Sequence, residues 1–307
     1  MIVRWGLEKL PGALDDVGID RPLLVASPRW DRLAIPAAAR WSEIPSDRIA
    51  VPSGVDGILS VGGGSAIDTA KAASAASDLP LVSVPTTYSG AEWTGFFGVR
   101  TPERRQVGGG AGARLAGIVY DPELTLDLPR EASGGTALNA LAHCVEALYP
   151  GELEAARRGA STIDEWLPRV LENGSDLEAR TRLLEGARDA GQALAERGLY
   201  LGHAMAQAVG GRYGIPHGAS NALCLAPAMR FNAPVVPWVM TAVPVERVEE
   251  LARLAGFERL RDLGVPVEDL DELGAAASER SSSCSTTCGG TTTRSSRSTE
   301  SSSRSSS

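Results

Sequence analysis

The sequence predicts an α/β fold in two parts, a parallel-sheet domain over residues 1–128 followed by an all-helical domain over 129–280, with the active site in the cleft between them. Three observations predict it. Short continuous apolar runs without alternation, such as RPLLVAS from Arg21, describe strands buried on both faces. Those runs alternate with Ala-rich helical stretches as far as Leu128. From Pro129 the strand-like runs stop, and the segments that follow carry helical periodicity.

Taken in order, Ile2-Val3 is expected to be a short strand and Leu7 to Val17 helical. RPLLVAS is the second strand. The Ala-rich piece Ala37 to Trp41 follows, then DRIAVP (Asp47 to Pro52) as another expected strand. GVDGILSVGGGSAIDTAKAAS carries the strongest local signal: strand from Gly57 to Val61, turn at Gly62-Gly63-Gly64-Ser65, helix from Ala66 to Ser77. Leu81 to Val84 is a strand leading through Pro85 into a loop of hydroxyl residues, Thr86, Thr87 and Ser89. Gln106 to Gly117 is expected to form a glycine-rich hairpin, and Gly117 to Tyr120 a strand ending at Asp121-Pro122. Helices are expected over Ala132 to Tyr149, Leu153 to Glu172, Leu177 to Gly198, Leu201 to Val209, Ala219 to Phe231 and Glu246 to Leu260. From Ser281 to Ser307 nearly every residue is Ser, Thr, Arg or Gly. That tail lacks the apolar surface to offset ordering entropy and is expected to be disordered.

Composition narrows the function classes. A length of 307 residues with 43% hydrophobic content supports about two packed domains. A net charge of −8 with dispersed Lys and Arg argues against nucleic acid as a partner. No apolar run reaches the ~18 residues a membrane span needs, and MIVRWGLEKL lacks the layout of a signal peptide, so a cytoplasmic setting is expected. Cys144, Cys224, Cys284 and Cys288 match no zinc spacing and read as reduced thiols. Cys144 adjoins His143 but points about 100° away on a helix, which makes it a packing residue.

Two patterns carry chemistry. A glycine cluster between a strand and a helix lets backbone amides approach a phosphate, with the helix N-terminus adding partial positive charge. A second polar loop, Thr86 to Ser89, at the end of the next strand faces the same crevice, an arrangement that fits a dinucleotide in a Rossmann-like sheet. The second pattern is the histidines, of which the chain has three. His143 shares a helix face with Asn139 at i, i+4. His203 and His217 both lie in GHAMAQAVGGRYGIPHG, where Gly210-Gly211 is expected to end the helix and Pro216 to present His217 just after a loop. Their convergence would make a metal or catalytic cluster.

GGGSAIDTAKA, VPTTYSGAEWT, YDPELTLDLP, NALAHCVEALY and GHAMAQAVGGRYGIPHGASNALCLAPAMRFN together resemble the iron-containing (group III) alcohol dehydrogenase family, from about Gly54 to Gly274. Within it, TTYSGAEWT and NALAHCVEALY resemble the maleylacetate reductase branch. The resemblance implies NADH or NADPH as cofactor. Gly62, Gly63, Gly64 and Ser65 would then hold its pyrophosphate, with Asp68 in the same fingerprint and Thr86, Thr87 and Ser89 along the cofactor's path. Metal-dependent members bind iron or zinc with one Asp and three His. Here Asn139 stands at the Asp position, with His143, His203 and His217 at the histidine positions. A neutral amide is a poorer ligand than a carboxylate, which weakens any metal site. Gln207 stands where many members carry a further histidine; it can hydrogen-bond but cannot shuttle a proton.

Both departures are implied to belong to a metal-free reductase of a small, anionic carbonyl or enoyl acid, working as a homodimer. Maleylacetate, reduced to 3-oxoadipate, is the expected substrate, with His143, His203, His217, Asn139 and Gln207 as candidate catalytic residues. Two alternatives stand beside it: a metal-dependent alcohol dehydrogenase or aldehyde reductase, and a shortened, inactive family member. The second is raised by the brevity of the Trp30–Gly57 segment and by the Ser-rich tail. At the end of the second strand, Ala26-Ser27-Pro28-Arg29 offers no acidic residue for a ribose 2′-hydroxyl, so NADP is permitted and NAD is not excluded.

Overall fold

Six parallel strands form one sheet, and all of them precede residue 121. In the computed structural model, which describes residues 1–287, these are β1 (Ile2–Trp5), β2 (Pro22–Ala26), β3 (Ala39–Trp41), β4 (Gly57–Gly62), β5 (Pro80–Pro85) and β8 (Arg114–Tyr120). Their order is β1-β8-β5-β4-β2-β3. The central strands β2 and β4 are buried at every position, which is why they read as unbroken apolar runs. The Rossmann-like α/β half followed by a helical half is thus present as the sequence predicts.

Three local expectations are corrected. DRIAVP is coil: β3, only three residues long, already occupies the edge of β2, so Ile49 and Val51 pack against the sheet's flank without joining it. The glycine-rich hairpin lies earlier than expected. It pairs β6 (Phe97–Arg100) antiparallel with β7 (Gln106–Gly110), while Arg114 onward belongs to β8, because the turn is made at Thr101–Arg105 with Arg104 at φ 67°. The helix carrying His203, α6 (Leu201–Tyr213), runs through Gly210 and Gly211 and stops at Gly214, which supplies the left-handed φ of 69°.

The other expected helices are present as α1 (Leu10–Asp16), α2 (Gly64–Ser77), α3 (Arg130–Ala147), α4 (Glu154–Glu172), α5 (Leu177–Arg197), α7 (His217–Asn232) and α9 (Val245–Leu254), the last stopping at Leu254 and not at Leu260; α8 (Pro237–Ala242) and α10 (Leu270–Thr287) are additional to those expected. The α10 backbone continues seven residues into the stretch expected to lack structure from Ser281, since propagation of an existing helix costs little. The rest of that expectation, 288–307, lies outside the described residues. No helix among the described residues is long and apolar enough to cross a membrane.

α3 is enclosed almost all round, which explains its Ala/Gly-rich composition. Its core is continuous with the sheet: Tyr88, Ile118 and Tyr120 share one apolar cluster with Leu138, Leu141, Leu183 and Val248. Arg180, 1% exposed, fastens the same region with no carboxylate partner among the described residues. Its guanidinium donates to Ser133 Oγ at 2.7 Å, Gly174 O at 2.9 Å, Tyr88 Oη at 3.2 Å and Leu128 O at 3.2 Å.

Candidate active site

The phosphate-type cradle is built by β4, its turn and α2. Gly62 adopts φ 154°, and a Cβ on Gly63 would stand 2.7 Å from Thr87 Cγ2, so only glycine lets this turn lie against the loop after β5. Gly63 caps α2 without any side-chain hydrogen bond, which leaves the first amides of the helix to an external anion. Thr86 N donates to Gly62 O at 3.0 Å, joining the two loops. Thr87 Oγ1 is buried without a partner and faces this crevice side of the loop. Asp68 turns away from the cradle: its Oδ2 accepts from Gly98 N at 3.3 Å and lies 3.7 Å from Arg100 Nη1, while Oδ1 is 3.6 Å from Lys71 Nζ. Burial raises the Asp68 carboxyl above its ordinary value, opposed by the charges of Lys71 and Arg100.

The three histidines converge. The His143 and His203 rings stack with centroids 4.4 Å apart, and His203 and His217 are 5.7 Å apart. Small residues make this possible: a Cβ on Gly218 would stand 2.6 Å from Gly135 C, so only glycine at 218 lets the start of α7 lie on α3. His217 is the first residue of α7, just after the loop through Pro216 as expected, and is linked to Asn139 of α3 through Asn221.

Asn139 is the hub, and its amide orientation follows from its neighbours. Ser89 O can only accept, so Asn139 Nδ2 donates to it at 2.9 Å. The same Nδ2 is 3.1 Å from His143 Nε2, which is also 3.3 Å from Ser89 O. Asn139 Oδ1 then accepts from Asn221 Nδ2 at 2.8 Å and faces His203 Nε2 at 3.3 Å. Asn221 Nδ2 also reaches His217 Nε2 at 3.0 Å, so that nitrogen carries the lone pair and the proton sits on His217 Nδ1.

His203 is held from the other side by Glu146. Glu146 Oε2 is 2.7 Å from His203 Nδ1 and accepts from Tyr200 N at 2.8 Å; Oε1 accepts from His203 N at 3.0 Å. The carboxylate thus caps α6, whose own N-cap residue offers no side-chain bond, and complements the helix dipole. A Cβ on Gly202 would stand 2.9 Å from Glu146 Oε1, so glycine is needed for this approach. Both His203 ring nitrogens face side-chain oxygens, Glu146 Oε2 on one side and Asn139 Oδ1 on the other, which fixes the ring's orientation.

Burial, then the charge of His203, push His143 well below the ordinary imidazole value; burial, His203 and Arg100 push His217 down to about 3. Both rings are neutral in the folded protein near neutrality. Unfolded histidines take up protons below about pH 6.5 while these two do not, so stability is expected to fall as pH drops from about 6.5 toward 3. Guanidinium midpoints at pH 7 and pH 5 check this, and His217→Asn should flatten the dependence. An unchanged midpoint between those pH values would contradict it.

Gln207 is half-buried one turn after His203 and makes no side-chain hydrogen bond among the described residues. Two residues escaped the sequence reading: Glu146 and Asn221. Both carried a spacing signal, Glu146 three residues after His143 and Asn221 four after His217. Cys144 is fully buried, as expected of a packing residue, and burial raises its thiol.

Residues 48–119 match the iron-containing alcohol dehydrogenase family, and residues 135–289 match the C-terminal part of the Fe-containing alcohol dehydrogenase family. The chain is similar to the maleylacetate reductase of Pseudomonas knackmussii, at 31% identity over 88% of this chain and 86% of that protein. It is 34% identical to the maleylacetate reductase of Sphingobium indicum over 72% of this chain and 67% of that one. Among solved structures, maleylacetate reductase from Agrobacterium tumefaciens superposes with a TM-score of 0.79 at 26% identity, covering 90% of this chain and 89% of that one. Iron-containing alcohol dehydrogenase from Corynebacterium glutamicum gives 0.80 at 27% identity, covering 91% and 88%.

Proposed function

Because the chain belongs to the iron-containing alcohol dehydrogenase family and is an oxidoreductase of its maleylacetate reductase branch, we propose that it reduces maleylacetate to 3-oxoadipate with NADH or NADPH. The observation that carries the reading is the Asn139 hub. Where metal-dependent relatives are implied to hold a carboxylate, this chain has an amide hydrogen-bonded among the histidine rings.

The cradle fits a dinucleotide: glycine positions that a Cβ would fill, free helix amides, and an orphaned Thr87 hydroxyl. When bound, the cofactor supplies a hydride. Gly62, Gly63, Gly64 and Ser65 would hold its pyrophosphate, and Thr86, Thr87 and Ser89 its path toward the histidines. Asp68 ties the hairpin to α2. The family's iron does not fit as well. His143 Nε2, His203 Nε2 and His217 Nε2 each lie 3.0–3.3 Å from an amide atom of Asn139 or Asn221, and the set contains no anionic ligand among them. Among the described residues no three His, Cys, Asp or Glu side chains are grouped to ligate one ion.

Maleylacetate presents C=C–C=O between two carboxylates. Hydride addition at the alkene carbon remote from the ketone sends the electron pair onto the ketone oxygen, and the enolate takes one solvent proton at the other alkene carbon. The His217 Nδ1–H donates to that oxygen and stabilises the charge that develops there, and the His203 ring, held by Glu146, lies beside it. His143 and Asn139 hold the rings in register, and Gln207 hydrogen-bonds a substrate carboxylate.

The test follows nicotinamide absorbance with maleylacetate and with simple aldehydes, each with and without EDTA. Maleylacetate turnover unchanged by EDTA, within about twofold, is expected. Aldehyde turnover abolished by EDTA would replace this reading with a metal-dependent alcohol dehydrogenase, and silence with every substrate would favour an inactive member.

A further inference from the structure

The cradle at the end of β4 has two parallel neighbours, β5 and β2. The loop after β5 reaches the histidines through Ser89, so the reacting end of a dinucleotide faces β5 and its adenosine end faces β2. Ala26 is in register with Val61, which brings Ser27, the residue after β2, beside Gly62, and the 3-10 turn Pro28–Leu33 that carries Arg29 follows at once. At this place an acidic side chain selects the ribose 2′-hydroxyl, whereas an arginine accommodates a 2′-phosphate.

The turn after β2 carries no acid before Asp31, and Asp31 is paired with Arg40. Three arginines meet here. Arg32 pairs with Asp127 at 2.8 Å, and Arg40, besides Asp31, donates to Ser27 O at 3.3 Å. Arg29 has no carboxylate partner among the described residues. Its guanidinium lies over Trp30, 4.6 Å from the ring centroid, and Trp30 is itself 4% exposed in the core. Arg29 is exposed, so its guanidinium, held near the Trp30 ring, is available to a phosphate.

We propose that Arg29, with the hydroxyl of Ser27, forms a 2′-phosphate site that makes the chain selective for NADPH. This deepens the reading above and rests on its dinucleotide, not on its substrate. Fluorescence titration of the full chain with NADPH and NADH tests it without any turnover. NADPH is expected to bind about tenfold more tightly than NADH. Arg29→Ala should weaken NADPH about tenfold and leave NADH within about twofold, while Arg29→Lys, a point charge without the planar fork, should fall between. Equal or tighter NADH binding, or equal losses for both nucleotides in Arg29→Ala, would overturn the 2′-phosphate site alone. A chain that binds neither nucleotide would overturn the dinucleotide reading and this site with it.

Discussion

Glu146→Ala is expected to cost about 3 kcal/mol of folding free energy, since each buried donor left without an acceptor costs about 1–3 kcal/mol. Glu146 is 0% exposed and accepts from three donors: His203 Nδ1, His203 N and Tyr200 N. Alanine leaves all three without an acceptor and removes the side-chain cap at the α6 N-terminus. Glu146→Gln retains one acceptor oxygen but turns an N–H₂ toward donors, so a smaller loss is expected. Guanidinium unfolding reads both. A loss below about 1 kcal/mol for the alanine variant would mean that these bonds do not hold the helix. Because the same carboxylate orients the His203 ring, kcat/KM should fall in both variants.

Asn139→Asp should lower kcat/KM about 100-fold in the presence of EDTA. The oxygen replacing Nδ2 would face Ser89 O at 2.9 Å with no proton between them, and one acceptor of the pair must move. Each such mismatch costs about 1–3 kcal/mol, and ~1.4 kcal/mol is a tenfold rate change. The new attraction to His203 does not restore the loop carrying Ser89. The variant also gains the anionic ligand that the natural site lacks, so titration calorimetry should detect zinc binding absent from the wild type. A variant within about threefold of wild type would show that the amide orientation is not required.

The fold was legible where burial leaves a one-dimensional trace. β2 and β4 are enclosed on both faces, so their sequences are continuous apolar runs; β3 is three residues at an edge and leaves none. DRIAVP alternates like a strand because Ile49 and Val51 do face apolar surface, but alternation reports burial, not hydrogen-bonding partners. The histidines were legible because they are few and fall in familiar motifs. Glu146 and Asn221 were not, although each shares a helix face with a histidine. Their meaning comes from contacts between α3, α6 and α7 made by residues as far as 82 apart in sequence. The stop of α6 was misplaced for a related reason: glycine ends a helix only where the left-handed φ is used, and Gly214 uses it.

Arg180 gives the site a mechanical character. One side chain joins the loop after β5 through Tyr88, the segment entering α3 through Leu128 and Ser133, and the segment entering α5 through Gly174. With Ile118 and Tyr120 embedded in the same core as α3, the floor beneath the cleft behaves as a welded joint rather than a hinge. The β6–β7 hairpin lies outside that joint, fastened to α2 through Asp68 and with β7 exposed along its whole length.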